Sequence, residues 1–142
     1  MRVIFVCLGN ICRSPAAEGV MRNLAPDLTL DSAGTGGWHV GDAPYQPMQM
    51  AARLRGIDLS GLRARQFTSD DFAQFDLIIA MDRQNKADIE RQRPAGNATP
   101  VRLMADTDVP DPYYTRDFDG ALDIIAVAAT RLLADISQMR DP

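Results

Sequence analysis

The run Arg2-Val3-Ile4-Phe5-Val6 is β-branched and aromatic with little polar alternation, the pattern of a strand buried on both faces of a parallel sheet. Such a strand reaches a parallel neighbour only through a crossover, usually a helix. The next residues supply one. The run stops at Cys7-Leu8-Gly9-Asn10, and Ser14-Pro15 reads as a helix start, with Ser14 as the N-cap and Pro15 at the first helical position. Ala16, Val20 and Leu24, with Ala17 and Met21 beside them, make an apolar stripe at i, i+4 spacing. The chain opens as strand, loop, helix.

The same alternation continues. Leu28 to Asp31 reads as a second short strand, closed by Gly34-Thr35-Gly36-Gly37, which places Trp38 and His39 on a loop. Met48 to Leu54 reads as a helix ended by Gly56, Asp70 to Phe75 as a short helical turn, and Asp76 to Met81 as a third buried strand. Arg83 to Arg93 is helical up to Pro94, Pro100 to Met104 is a fourth strand, and Asp106 to Thr115 is a polar loop with two prolines. Phe118, Leu122, Ile125, Ala129, Leu132 and Ile136 recur every three to four residues, so the chain ends in a long amphipathic helix. Strands alternating with helices imply a three-layer α/β fold around a parallel sheet. The 142 residues amount to one domain, 1–142, with no linker or repeat, and such a domain buries roughly two-thirds of its unfolded surface. Folds of this kind bind ligands at the carboxyl ends of their strands, where Cys7 sits.

Composition narrows the chemistry. A hydrophobic share of 46% and a charged share of 24% are those of an ordinary globular protein. The net charge of −4 argues against a nucleic-acid partner. That charge is uneven: residues 1–65 carry net +2 and residues 66–142 net −6, and Lys86 is the one lysine among fifteen basic residues. Two Cys and one His are too few for a structural zinc site or a disulfide framework, so no metal and no cofactor is expected. No apolar run approaches the roughly 20 residues of a membrane helix, and Val3 to Val6 is too short for a secretory signal core. The expectation is a cytoplasmic protein without membrane insertion.

The segment Cys7-Leu8-Gly9-Asn10-Ile11-Cys12-Arg13-Ser14-Pro15 joins a strand to a helix N-terminus, where N–H groups lack partners and the macrodipole is positive. It is an anion site by construction. Gly9 and Asn10 tolerate left-handed backbone angles, letting consecutive N–H groups from Leu8 through Ile11 and Cys12 turn inward as a nest. Arg13 adds a planar fork able to hold two phosphate oxygens. Cys7 lies in the same field, which favours thiolate over thiol, and Ser14 can donate its hydroxyl to that thiolate. A thiolate at the floor of an anion cradle is placed for in-line attack on phosphorus, giving a phosphocysteine. The bland alternative is a buried structural thiol, and C-x5-R recurs by chance. The preceding strand, the Gly-Asn turn and the Ser-Pro helix start favour catalysis. The nucleotide pattern GxxxxGK[ST] is absent.

Release of an oxygen leaving group wants a general acid. Asp111, in Asp111-Pro112-Tyr113-Tyr114, is the leading candidate, with Asp106 and Asp108 competing nearby. Tyr113, Tyr114 and Trp38 are candidates to wall an aromatic slot, although loop aromatics also serve as packing residues.

Together VCLGNICRSPAAE at 6–18, DSAGT at 31–35, Trp38-His39-Val40-Gly41, Arg63-Ala64-Arg65-Gln66, FDLIIAMDRQN at 75–85 and DPYY at 111–114 resemble the low-molecular-weight protein tyrosine phosphatases across essentially the whole chain. The resemblance implies a flavodoxin-like fold with a four-stranded parallel sheet in the order 2-1-3-4. It implies Cys7 as nucleophile, Arg13 as phosphate clamp, and Asp111 as acid and then as base toward water. Asn10 and Ser32 resemble a pair that holds the loop's backbone, and Ser14 the partner of the thiolate. Trp38 and Tyr113 resemble rings lining a slot deep enough for phosphotyrosine, and the tryptophan resembles the eukaryotic-type subclass. The implied partners are phosphotyrosine proteins, such as a tyrosine kinase or its substrates, with inorganic phosphate as product.

Two departures stand out. A His that many members carry three residues before the Arg of Ala-Arg-Gln is Leu62 here, so the outer support of the loop must differ. A frequent Pro-Asp-x-Arg is Pro44-Tyr45-Gln46-Pro47, which puts inherited substrate preferences in doubt. Three rivals share the fold. Arsenate reductases relay oxidation onto cysteines outside the loop, and this chain has none beyond Cys7 and Cys12. Protein arginine phosphatases carry Thr where this loop has Ile11, which cannot engage a guanidinium. A non-catalytic phosphate sensor needs neither a thiolate nor a placed acid. Cys12 is either a small packing residue or the partner of an oxidised Cys7.

Overall fold

The computed structural model describes residues 1–140; the last two positions of the expected 1–142 span lie outside the described residues. Four strands, β1 (Arg2–Cys7), β2 (Thr29–Gly34), β3 (Leu77–Ala80) and β4 (Val101–Leu103), form one parallel sheet in the order β2-β1-β3-β4. The helices are α1 (Arg13–Leu24), α2 (Gln46–Arg53), α3 (Asp71–Gln74), α4 (Arg83–Glu90), α5 (Pro112–Thr115) and α6 (Phe118–Arg140).

The period of two along each strand sorts the core into two layers. Val3, Phe5 and Cys7 of β1, with Leu77 and Ile79 of β3, face a cluster built with Ala17 and Met21 of α1 and Leu122, Ile125 and Ile136 of α6. Ile4, Val6, Ile78 and Ala80 face the opposite cluster with Phe67, Phe72 and Ile89. The strands are apolar throughout because both faces are covered. Cys7 thus points to the α1 side, into the layer that also holds Ile11 and Cys12. The order places β1 between β2 and β3, so chain leaving β1 and chain leaving β3 diverge and open a crevice at their carboxyl ends.

Several boundaries move. β2 runs on through Ser32-Ala33-Gly34, pairing Phe5 with Ser32 and Cys7 with Gly34, although the expected strand stops at Asp31. Its second half is small and polar, and is held by hydrogen bonds rather than by apolar side chains. A Cβ on Gly34 would stand 2.8 Å from the Leu8 carbonyl oxygen, so only glycine lets the β2 exit approach the loop after β1. Thr35 N–H to Cys7 O at 2.8 Å and Gly36 N–H to Leu8 O at 2.9 Å close that contact. The helix from Arg83 ends at Glu90, with Gln92 and Arg93 in turns, not at Pro94. The polar loop before Phe118 contains α5, a single helical turn capped by Asp111.

Candidate active site

Cys7 ends β1, and its Sγ accepts the Asn10 N–H at 3.2 Å and lies 3.0 Å from Ser14 Oγ. Ser14 is not the N-cap. Helix α1 begins at Arg13 after Cys12, and the Ser14 hydroxyl is drawn instead toward the loop, where Asn10 Nδ2 donates to it at 2.8 Å. With that lone pair occupied, its proton is available to Cys7. Of the two loop residues expected to tolerate left-handed angles, Asn10 adopts one, at φ 57, and Gly9 does not.

The Asn10 side chain holds three elements together. Nδ2 also donates to Ser32 Oγ on β2 at 3.0 Å, and Oδ1 accepts the Arg65 backbone N–H at 3.0 Å. Ser32 in turn donates to Glu18 Oε1 at 2.8 Å, and Arg22 Nη2 bonds the other carboxylate oxygen at 2.6 Å. Glu18 is 3% exposed. Burial pushes its carboxyl pKa up, against the bonds from Ser32 and Arg22 that pull it down. The Arg65 side chain is clamped by Asp31 and Asp71, which fixes the backbone amide that meets Asn10. Leu62, in the place of the expected His, packs on the apolar core. The loop's outer support is therefore Glu18 and the Arg65 amide.

Arg13 is 3% exposed and does not line the cavity at Cys7. Its Nη1 donates to Asp82 Oδ2 at 2.7 Å and to Val109 O at 2.9 Å, while Nη2 has a longer contact of 3.4 Å to Asp111 Oδ2. Asp82 caps α4 through its other oxygen, which accepts the Asn85 N–H at 2.7 Å. Asp111 caps α5 by accepting the Tyr113 N–H at 3.1 Å. The competing acids are engaged elsewhere: Asp106 pairs with Arg131 and is 86% exposed, and Asp108 binds the N–H and side chain of Arg83. Cys12 is buried, and its thiol is pushed up to about 12 by that burial and by Cys7 and Asp111.

A cavity of about 250 Å³ opens over the loop, lined by Cys7, Leu8, Gly9, Ile11, Cys12 and Asp111, with Trp38, His39, Tyr113 and Tyr114 above them. Thiol and carboxyl thus share one wall system under a ring-lined mouth. Trp38 is 73% exposed and lies over Gly36, where any Cβ would collide with its indole. Tyr113 and Tyr114 meet edge to face with centroids 5.3 Å apart. Among the described residues no group of three or more His, Cys, Asp or Glu side chains is placed to hold a metal ion.

Asp82 and Arg65 were missed as site residues because each acts through a partner far along the chain, and Glu18 because it reaches the loop only through Ser32. A buried position on an otherwise apolar helix face was the one available signal, for Glu18.

Residues 2–141 match the family model described as low molecular weight phosphotyrosine protein phosphatase. Low molecular weight protein-tyrosine-phosphatase YfkJ of Bacillus subtilis (strain 168) is 41% identical over 149 residues, covering 96% of each chain. Its crystal structure aligns with a TM-score of 0.93 at 39% identity, over 99% of this chain and 97% of that one. A protein tyrosine phosphatase from Entamoeba histolytica, crystallised with Hepes in the active site, gives 0.92 at 34% identity over 99% of both chains. A drosophila arginine phosphatase gives 0.88 at 30% identity, over 96% of this chain and 98% of that one. The matched span, the sheet order and these relatives make this chain a member of the low molecular weight protein-tyrosine-phosphatase family of enzymes.

Proposed function

We propose that the chain, acting as one domain in the cytoplasm, hydrolyses phosphotyrosine in proteins through a phosphocysteine on Cys7. The observation that carries the reading is the placement of Cys7 and Asp111 on one cavity beneath aromatic rings. The Cys7 thiolate attacks phosphorus as the bond to the tyrosyl oxygen breaks, and protonated Asp111 gives its proton to that oxygen. Water then attacks the phosphocysteine, Asp111 takes its proton, and inorganic phosphate leaves with the thiolate restored. The N–H groups of residues 8–14 at the α1 terminus stabilise the equatorial oxygens. Arg13 joins them through Nη2, whose 3.4 Å contact to Asp111 is the weakest of its bonds. Ser14 donates to the returning thiolate.

Ile11 favours an aryl ester over a phosphoguanidine, since its side chain offers no acceptor on the cavity wall. Phosphotyrosine proteins, a kinase or its substrates among them, are the partners this implies. Peroxide would carry Cys7 to a sulfenic acid, which condenses with the Cys12 thiol to a disulfide and water. The raised Cys12 pKa slows that step at neutral pH.

The deciding experiment follows turnover of aryl phosphates. Cys7→Ser is expected to abolish it while phosphate binding persists; retained turnover removes Cys7 as nucleophile. Asp111→Asn should cost about 10²–10⁴-fold with phenyl phosphate and far less with activated leaving groups. An equal loss across leaving groups removes Asp111 as the acid.

A further inference from the structure

Tyr45 and Arg116 take no part in the chemistry above. Tyr45 is the N-cap residue of α2 and makes no side-chain capping bond. Its hydroxyl instead accepts from Arg116 Nη1 at 3.1 Å and Nη2 at 3.2 Å. The Arg116 guanidinium lies 5.3 Å from the Tyr45 ring centroid and 5.5 Å from that of Phe118, and Nη1 also reaches the Tyr113 carbonyl at 3.3 Å. Its backbone is left-handed, at φ 65, where α5 ends. Two rings, a hydroxyl and a carbonyl fix this cation, and all four are neutral. Arg13, Arg65 and Arg83 around the site have carboxylate partners. Arg116 has none within 4.0 Å among the described residues.

Arg116 lines neither cavity itself, but its partners Tyr45 and Tyr113 line a second groove, of about 390 Å³, together with Ile11, His39, Asp42 and Pro44. Ile11, His39 and Tyr113 also line the catalytic cavity, so a peptide leaving that cavity has this groove as a continuous path. We propose that Arg116 is a specificity residue that binds a carboxylate flanking the phosphotyrosine, making acidic phosphotyrosine segments the substrate class. The inference rests on the phosphotyrosine reading of the site. A guanidinium already held by stacking loses little freedom on binding, and its planar fork suits a carboxylate. On a chain of net charge −4, a local uncompensated cation is also what keeps acidic substrates from being repelled. Asp42, hydrogen-bonded to His39 Nδ1 at 3.1 Å, is the group that would give the opposite preference.

The test measures kcat/KM for phosphotyrosine peptides that differ only in acidic, neutral or basic flanking residues. At low ionic strength the acidic set is expected to exceed the neutral set by about fivefold, the size of a favourable exposed ion pair. The ratio should fall below about twofold in roughly 0.5 M salt, where screening acts within about 4 Å. Arg116→Gly, which suits the left-handed backbone, should bring the ratio near one. A flat ratio, a basic preference, a salt-independent ratio or an acidic preference kept in Arg116→Gly overturns the proposal. Hydrolysis with a flat ratio leaves the phosphatase reading standing, whereas no hydrolysis of any peptide removes both.

Discussion

Replacing Asp82 by Asn takes one negative charge from beside a guanidinium that is 3% exposed. Asp82 accepts from Arg13 Nη1 through Oδ2 and from Asn85 N–H through Oδ1. Asn has one acceptor oxygen and caps helices as well as Asp does, so the cap is kept and Arg13 loses this acceptor. What is lost is the charged acceptor 2.7 Å from Arg13 Nη1. A hydrogen bond to a charged group contributes about 1.5–3 kcal/mol, so the loss should be about that size. For a chain of this size that lowers Tm by about 5–9 °C. Inorganic phosphate supplies a replacement anion for Arg13, so the variant gains more from it than the parent does. Thermal unfolding of both proteins with and without saturating phosphate reads the effect, and the gap should narrow by about half. A gap of the same size in both conditions would refute the idea that Asp82 stands in for the phosphate charge at Arg13.

Glu18 gives a pH test. Its folded pKa lies above the ordinary 4.5 because of burial, so its contribution is fully present below the unfolded pKa and is lost as pH rises through the folded one. Gln at this position has no such loss, so the Tm of Glu18→Gln minus that of the parent should grow more positive from about pH 4 to pH 8; a flat or falling difference counts against the buried carboxyl. Cys12, with a thiol at about 12, holds about one thiolate in 10⁵ at pH 7. Iodoacetamide at that pH should leave Cys12 unmodified in mass spectra while Cys7 is labelled, and comparable labelling of both would contradict the burial.

What could be read from the sequence followed what repeats. β1 and the apolar face of α6 announce themselves by period and the Cys7 loop by its turn residues, whereas Asp111 shares its loop with Asp106 and Asp108 and nothing local in the chain sets it apart. Leu24 belongs to the same apparent stripe as Ala16 and Val20, yet is 45% exposed, because the face buried at that end of α1 is the one carrying Ala17, Met21 and Ala25. The far half of β2 has no apolar signature, since Ser32 and Gly34 are selected by the loop they touch. Ser14 looked like a cap because Ser before Pro usually is one, and here a thiol and an amide compete successfully for its hydroxyl. Asp82 and Arg65 carry weight only through contacts to Arg13 and Asn10 that lie 69 and 55 residues away in the chain. Local pattern holds no trace of such pairs.

Cys7, Ile11 and Cys12 belong to the same apolar cluster as Phe5, Met21 and Ile125, while Trp38 and Tyr114 stand in solvent. The proposed nucleophile is thus a core residue, and the groups proposed to meet the substrate's ring are surface residues. Loss of activity on heating should coincide with collapse of the whole fold rather than precede it. The mouth, by contrast, is open to change. Replacing Trp38, Tyr114 or Arg116 is expected to alter which partner is accepted while the buried cluster around Cys7 stays in place, so a lineage can change customers while keeping one engine.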